Sequence, residues 1–227
     1  MLNALSAQSW QLQLIIILLT ENETMKRQVL KARIFTIGIF YKHLHCVVAN
    51  FSDLKKSSKS GNINKKFRSK IMLAVTQVNG CRYCNYFHTK NAIDAGASEE
   101  EINALVNGEL GDIGNDESLA LLFAQHYADT GGDFDTDTYQ KIVAHYGQEK
   151  ARDILANIRA IMVGNIYGIS IDALQSRIKG KKIKGSKFSS ELGIFFGIIL
   201  MIPVAIIQVL IEKLFGKRKK NSLKEKG

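Results

Sequence analysis

Apolar residues recur at three- and four-residue intervals along most of the chain, while the strict alternation that marks half-buried strands is nearly absent. With a single proline, Pro203, to interrupt helices, this pattern predicts an all-α protein. A first long helix is expected over Met25 to Phe51, where Leu30, Ile34, Ile37, Tyr41, Leu44 and Val48 share one face. The polar stretch Ser52 to Asn62 reads as an exposed loop. A second helix is expected from about Lys65 to Asn79, with Phe67, Ile71, Ala74, Val75 and Val78 on its apolar side and Gly80 as terminator. The next begins at or just before Cys81 and ends near Ala95 and Gly96.

Ser98 and Glu101 then have the spacing of a capping box, which predicts a helix from Ser98 to about Gly108. Asp116 is expected to cap a helix through Asp129, and the Gly131-Gly132 loop leads to a short helix ending at Gly147. Gln148 to about Ser176 closes the domain. Leu12 to Leu19 is apolar but too short to span a bilayer, which takes about 20 residues, and reads as a buried or membrane-surface helix. Leu192 to Leu210 carries no charge between Glu191 and Glu212 and reads as one transmembrane helix, kinked at Pro203. An interfacial helix or a buried hairpin partner is the alternative. The chain thus divides into an N-terminal apolar helix or extension (1–24), a helical domain (25–176), a basic linker (177–190), a transmembrane helix (191–212) and a basic tail (213–227).

The net charge of +10 changes meaning once it is divided along the chain. Residues 177–227 hold 13 Lys/Arg against 3 Asp/Glu, which leaves 18 of each in the preceding 176 residues. A neutral domain argues against nucleic-acid binding, which needs a basic face on the fold itself. The two basic clusters, Arg177 to Lys187 and Lys213 to Lys226, flank the transmembrane stretch symmetrically, so they fix no orientation, and either suits anionic lipid head groups. Met1 to Trp10 carries no positive charge, so no secretory signal is expected and the domain is placed on the cytosolic side.

Three cysteines are too few for a disulfide-stapled scaffold, and two of them are close. In Cys81-Arg82-Tyr83-Cys84-Asn85-Tyr86-Phe87-His88 a CxxC pair is followed by a histidine four residues on. On a helix these three fall at i, i+3 and i+7, so both sulfurs and the imidazole share a face. A helix start stabilises a thiolate, the form that attacks peroxides and disulfides, and His88 is placed to take a proton from Cys84. Zinc, with a fourth ligand from His126 or His145, and an inert buried pair are the competing readings. Asp133, Asp135 and Asp137 are spaced like the start of a calcium loop, but Thr138 and Ala144 stand where that loop needs Gly and Glu. His43 and His45 point about 200° apart on a helix, and with Cys46 they are assigned no function. No cofactor and no metal are expected.

The run from Ile71 through Cys81, Cys84 and His88 to Thr89, followed by Ala95-Gly-Ala-Ser-Glu-Glu-Glu-Ile102, resembles the carboxymuconolactone decarboxylase and alkylhydroperoxidase D superfamily over roughly residues 30 to 176. The CxxCxxxH pattern favours the alkylhydroperoxidase D branch. The resemblance implies an all-helical fold assembled as trimers or hexamers, with Cys84 attacking, Cys81 resolving and His88 in a proton relay. It further implies a hydroperoxide or disulfide substrate and an external dithiol reductant. The family's relay glutamate, twelve residues before the first cysteine, is Ser69 here, between Arg68 and Lys70. Serine holds no charge against His88, so the relay's basicity should fall. Ser69 is thus either a hydrogen-bonding relay position or an exposed helix residue, and Tyr83 is expected to pack against a neighbouring subunit. A catalytically weak, membrane-tethered oligomer serving as scaffold or redox sensor is the alternative function, and lactone decarboxylation has only fold analogy behind it.

Overall fold

A computed structural model describes residues 32–107 and 115–224, which form nine helices and no strand. These are α1 (Ile37–Ala49), α2 (Phe51–Ser60), α3 (Lys65–Asn79), α4 (Arg82–Asp94), α5 (Glu99–Asn107), α6 (Asn115–Asp129), α7 (Thr136–Tyr146), α8 (Gln148–Ile178) and α9 (Phe188–Lys224). The all-α expectation holds. The apolar segment Leu12 to Leu19 lies outside the described residues.

Two expectations at the start of the domain are corrected. Among the described residues the first helix begins at Ile37, because the Thr36 hydroxyl caps it by accepting the Ile39 N–H at 3.3 Å. Residues 32–36 are not helical, and Arg33 ties them down: its N–H donates to the Asn79 carbonyl at 3.0 Å and its guanidinium to the Ala128 carbonyl and the Asp129 carboxylate, both at 2.6 Å. Ser52 to Asn62 is largely the helix α2 rather than a loop. Its polar composition hides one buried position, Ser57, whose hydroxyl accepts from Asn157 Nδ2 at 2.8 Å and whose carbonyl accepts from Arg68 at 3.2 Å. Tertiary hydrogen bonds rather than an apolar stripe hold this helix on α8.

α3 follows the expected bounds because both its ends are written in the sequence. Asn64 Oδ1 accepts the Phe67 N–H at 2.8 Å, and Gly80 takes the left-handed conformation (φ 74°) that stops the helix. Ser98 and Glu101 close the capping box, the Ser98 N–H donating to Glu101 Oε2 at 2.9 Å and the Glu101 N–H to Ser98 Oγ at 3.2 Å. Asp116 sits inside the first turn of α6 rather than at its cap, and the expected helix end at Gly108 lies outside the described residues. Asp135 caps α7.

α3 and α8 form the middle of the bundle, and one core joins Ile71, Leu73 and Val75 to Leu105, Leu121, Ile154 and Met162. A second, smaller core joins Phe40 and Leu44 of α1, Ile166 of α8 and Ile194 of α9. α8 and α9 are each long and apolar enough to cross a membrane, but α8 is mostly buried in the bundle whereas α9 is mostly exposed.

Candidate functional site

Gly80 ends α3 and Cys81 begins the next turn, so the CxxC pair stands at a helix start because glycine stops one helix immediately before the first sulfur. Cys81 is the N-cap of α4, and its sulfur accepts the Cys84 N–H at 3.3 Å. The two cysteines are joined as a disulfide with Cα atoms 5.4 Å apart. Cys81 is buried, whereas Cys84 is half-buried and the accessible sulfur of the two.

The pair rests on the backbone of α8. Cys84 Sγ lies 3.7 Å from the Gly164 carbonyl oxygen, and a methyl group at Gly168 would stand 2.8 Å from Cys81 Sγ and 3.2 Å from Cys84 Sγ. Glycine is the residue that lets two sulfurs approach a helix this closely. Flanking side chains fasten the same turn to α8: Arg82 pairs with Asp172, and the Tyr83 hydroxyl donates to Gln175 Oε1 at 2.6 Å. Gly164, Gly168, Asp172 and Gln175 escaped sequence reasoning. The available signal was two glycines four residues apart inside a 31-residue helix, each costing about 1 kcal/mol relative to alanine.

His88 is on α4 with the sulfurs, but buried, with Phe87 edge-on at 5.1 Å and its Nδ1 without a hydrogen-bond partner. Burial pushes its pKa down to about 4, so the imidazole is neutral at pH 7. Ser69 is buried on α3, which removes the exposed reading of that position. Its neighbour Lys70 is also buried, pairing with Glu101 and, at 2.7 Å, with Glu117. Around the disulfide, Thr76 Oγ1 donates to Asn165 Oδ1 at 3.0 Å and Asn79 Nδ2 contacts Met162 Sδ at 3.1 Å, while Asn79 Oδ1, Asn165 Nδ2 and Thr89 Oγ1 have no partner.

The remaining residues singled out by sequence do not converge here. His126 and His145 are exposed on α6 and α7, and no group of three His, Cys, Asp or Glu capable of holding a metal forms among the described residues. His43 is buried, with its pKa pushed down to about 4 chiefly by that burial, and the His45 ring meets Glu212 at 3.3 Å. Cys46 is a free, half-buried thiol.

Residues 47–125 match the model of the carboxymuconolactone decarboxylase family, an interval that contains α2 to α5, the disulfide and His88. The uncharacterized protein YdfG of Bacillus subtilis (strain 168) is 29% identical over 121 residues, which is 52% of this chain and 82% of that relative. No solved structure matches the chain.

Proposed function

For a chain whose residues 47–125 match the carboxymuconolactone decarboxylase family, we propose a thiol-disulfide redox function of the alkylhydroperoxidase D type, carried by Cys84 and Cys81. The supporting observation is the disulfide at the start of α4, with one sulfur accessible and the other buried on a backbone N–H. An external dithiol reduces it in two exchanges. Its thiolate attacks Cys84 Sγ, the S–S bond breaks, and Cys81 leaves as a thiolate held by the Cys84 N–H and the helix start. The reductant's second thiolate then attacks its own sulfur in the mixed disulfide and releases Cys84. The reduced pair is reoxidised by a hydroperoxide: the Cys84 thiolate takes the terminal oxygen and becomes a sulfenic acid, the alkoxide gains a proton, and Cys81 displaces water to restore the disulfide.

His88 serves this cycle as a neutral hydrogen-bonding and proton-passing group. A pKa near 4 makes it a weak base, and Ser69 offers no negative charge to raise it. That favours slow peroxide turnover and motivates a second reading, a redox sensor or scaffold whose disulfide reports the thiol pool. Tyr83, Tyr86 and Phe87 form an exposed aromatic face beside Cys84 that suits assembly of several copies, and α9 supplies a membrane attachment.

The deciding experiment is steady-state turnover of an alkyl hydroperoxide by the full chain with a dithiol donor. Turnover abolished by Cys84→Ser is the expected result. No turnover, together with a thiol-trapping gel that still shifts between reduced and peroxide-treated protein, would favour the sensor. A gel with no shift removes the redox reading.

A further inference from the structure

α9 has two faces, and the polar residues of its stretch from Glu191 to Glu212 all lie on one of them. Glu191, Ile194, Ile198, Met201, Ala205, Gln208 and Glu212 recur every three or four residues and turn toward the protein. Glu191 is buried, accepting from Arg177 Nε at 2.7 Å and Nη2 at 2.6 Å. Ile194 lies in the core with Phe40 and Leu44, and Ile198 and Met201 pack against it. Gln208 Oε1 accepts the Tyr41 hydroxyl at 2.5 Å, and Glu212 meets His45. The opposite face, through Phe196, Ile199, Leu200, Ile207, Leu210 and Leu214, is apolar and exposed. Exposed lysines flank it, Lys181, Lys182, Lys184 and Lys187 before and Lys213 after.

The packing also fixes how α9 and the domain share depth. α1 runs alongside α9 in the same direction, from Ile37, which packs so closely on Gly193 that a methyl there would collide with it, to His45 at Glu212. α1 is only 13 residues long, about 20 Å, and cannot cross a hydrocarbon core of about 30 Å. It also carries Lys42, 57% exposed and paired with the 80% exposed Asp133. If α9 crossed the bilayer, α1 and this ion pair would be drawn into hydrocarbon beside it, where charged side chains are costly.

We infer that α9 lies in the plane of a membrane surface, its apolar face in the acyl boundary of an anionic leaflet and its lysines on the head groups, with the bundle resting above. The inference rests on reading α9 as the membrane attachment and is independent of the redox chemistry. An in-plane helix puts both its ends on one side, whereas a spanning helix separates them.

The test uses full-length Cys46→Ser protein with the Cys81–Cys84 pair oxidised, carrying Ser189→Cys or Lys213→Cys, added to sealed vesicles of phosphatidylcholine and phosphatidylglycerol. Both positions should react with an impermeant maleimide supplied outside, alkaline carbonate should strip the protein, and pure phosphatidylcholine vesicles should bind it at least tenfold more weakly. Protection of one position until detergent is added, with resistance to carbonate, would mean that α9 spans and would overturn the inference. Failure to bind either vesicle, with the chain running as a dimer, would assign the face to a second copy and overturn the membrane attachment itself.

Discussion

At Lys70 a buried ammonium on α3 has two carboxylates, Glu101 of α5 and Glu117 of α6, and Lys66 adds a second cation to Glu101 at 2.8 Å. On α3, α4 and α8, the helices that meet at the disulfide, His88 Nδ1, Thr89 Oγ1, Asn79 Oδ1 and Asn165 Nδ2 are by contrast buried with no protein partner. The first cluster satisfies its charges and ties three helices together. The second presents side-chain donors and acceptors that no other protein group takes up, which suits a site placed for chemistry rather than for bracing. The contrast separates a structural brace from the proposed redox site within one small bundle.

Removing the brace should have the largest effect on folding. Although burial alone would raise it, Glu101 is held down to about 2 by Lys66 and Lys70, and Lys70 is raised by its two carboxylates against the opposite pull of burial. Lys70→Ala strips the buried cation and leaves two half-buried carboxylates facing each other, so unfolding in urea should show a loss of about 3 kcal/mol. A loss below about 1 kcal/mol would mean that the cluster behaves as a surface ion pair and would blur the contrast.

The reactive side is broken through pH. Burial lowers His88 to about 4 from its ordinary 6.5, so the unfolded chain takes up a proton that the folded one refuses. Its contribution to stability is therefore fully present above pH 6.5 and is lost as pH falls toward 4. Between pH 7 and pH 5 the loss attributable to this group is about 2 kcal/mol. His43, also lowered to about 4 chiefly by burial, adds a second loss over the same window. Urea titrations of the wild type and of His88→Phe at both pH values isolate the term, since the variant should lose less by about that amount. Equal losses in the two proteins would show His88 to be solvated and partnered.

These differences also mark what the sequence could disclose. α3 was legible to the residue because Asn64 and Gly80 are local signals, and so was the place of Cys81 at a helix start. α2 was not legible, since the bonds that fold its polar residues come from Arg68 on the next helix and from Asn157, 100 positions along the chain. The same holds at the site: the CxxC pair and His88 stand out by spacing, whereas Gly168 becomes a site residue only when α8 is laid across the sulfurs. The burial of Ser69 and Lys70 was likewise hidden, because a polar run such as Lys65-Lys66-Phe67-Arg68-Ser69-Lys70 reads as a solvated face until its carboxylate partners on α5 and α6 are brought over it. α9 was legible as a long apolar element, but the assignment of its polar residues to α1 depends on contacts across more than 160 positions.

The smallest effect is expected at Gly168, where stability and redox poise pull apart. Gly168→Ala gains about 1 kcal/mol of helix propensity and loses about as much or more to overpacking against sulfurs 2.8 and 3.2 Å away, so net stability should move by about 1 kcal/mol or less. The two redox states do not share that crowding equally. Reduced, each sulfur can rotate about its own side chain and leave the new methyl; bonded, neither can move without the other. The added methyl therefore penalises the disulfide more than the dithiol, and the pair should become more oxidising. A difference of about 1.4 kcal/mol between the states would raise the reduction potential by about 30 mV, readable by equilibration against a glutathione or dithiol couple. An unchanged potential with unchanged stability would mean that the sulfurs stand off from α8, and the close packing of disulfide on glycine would no longer distinguish this end of the bundle from the braced one.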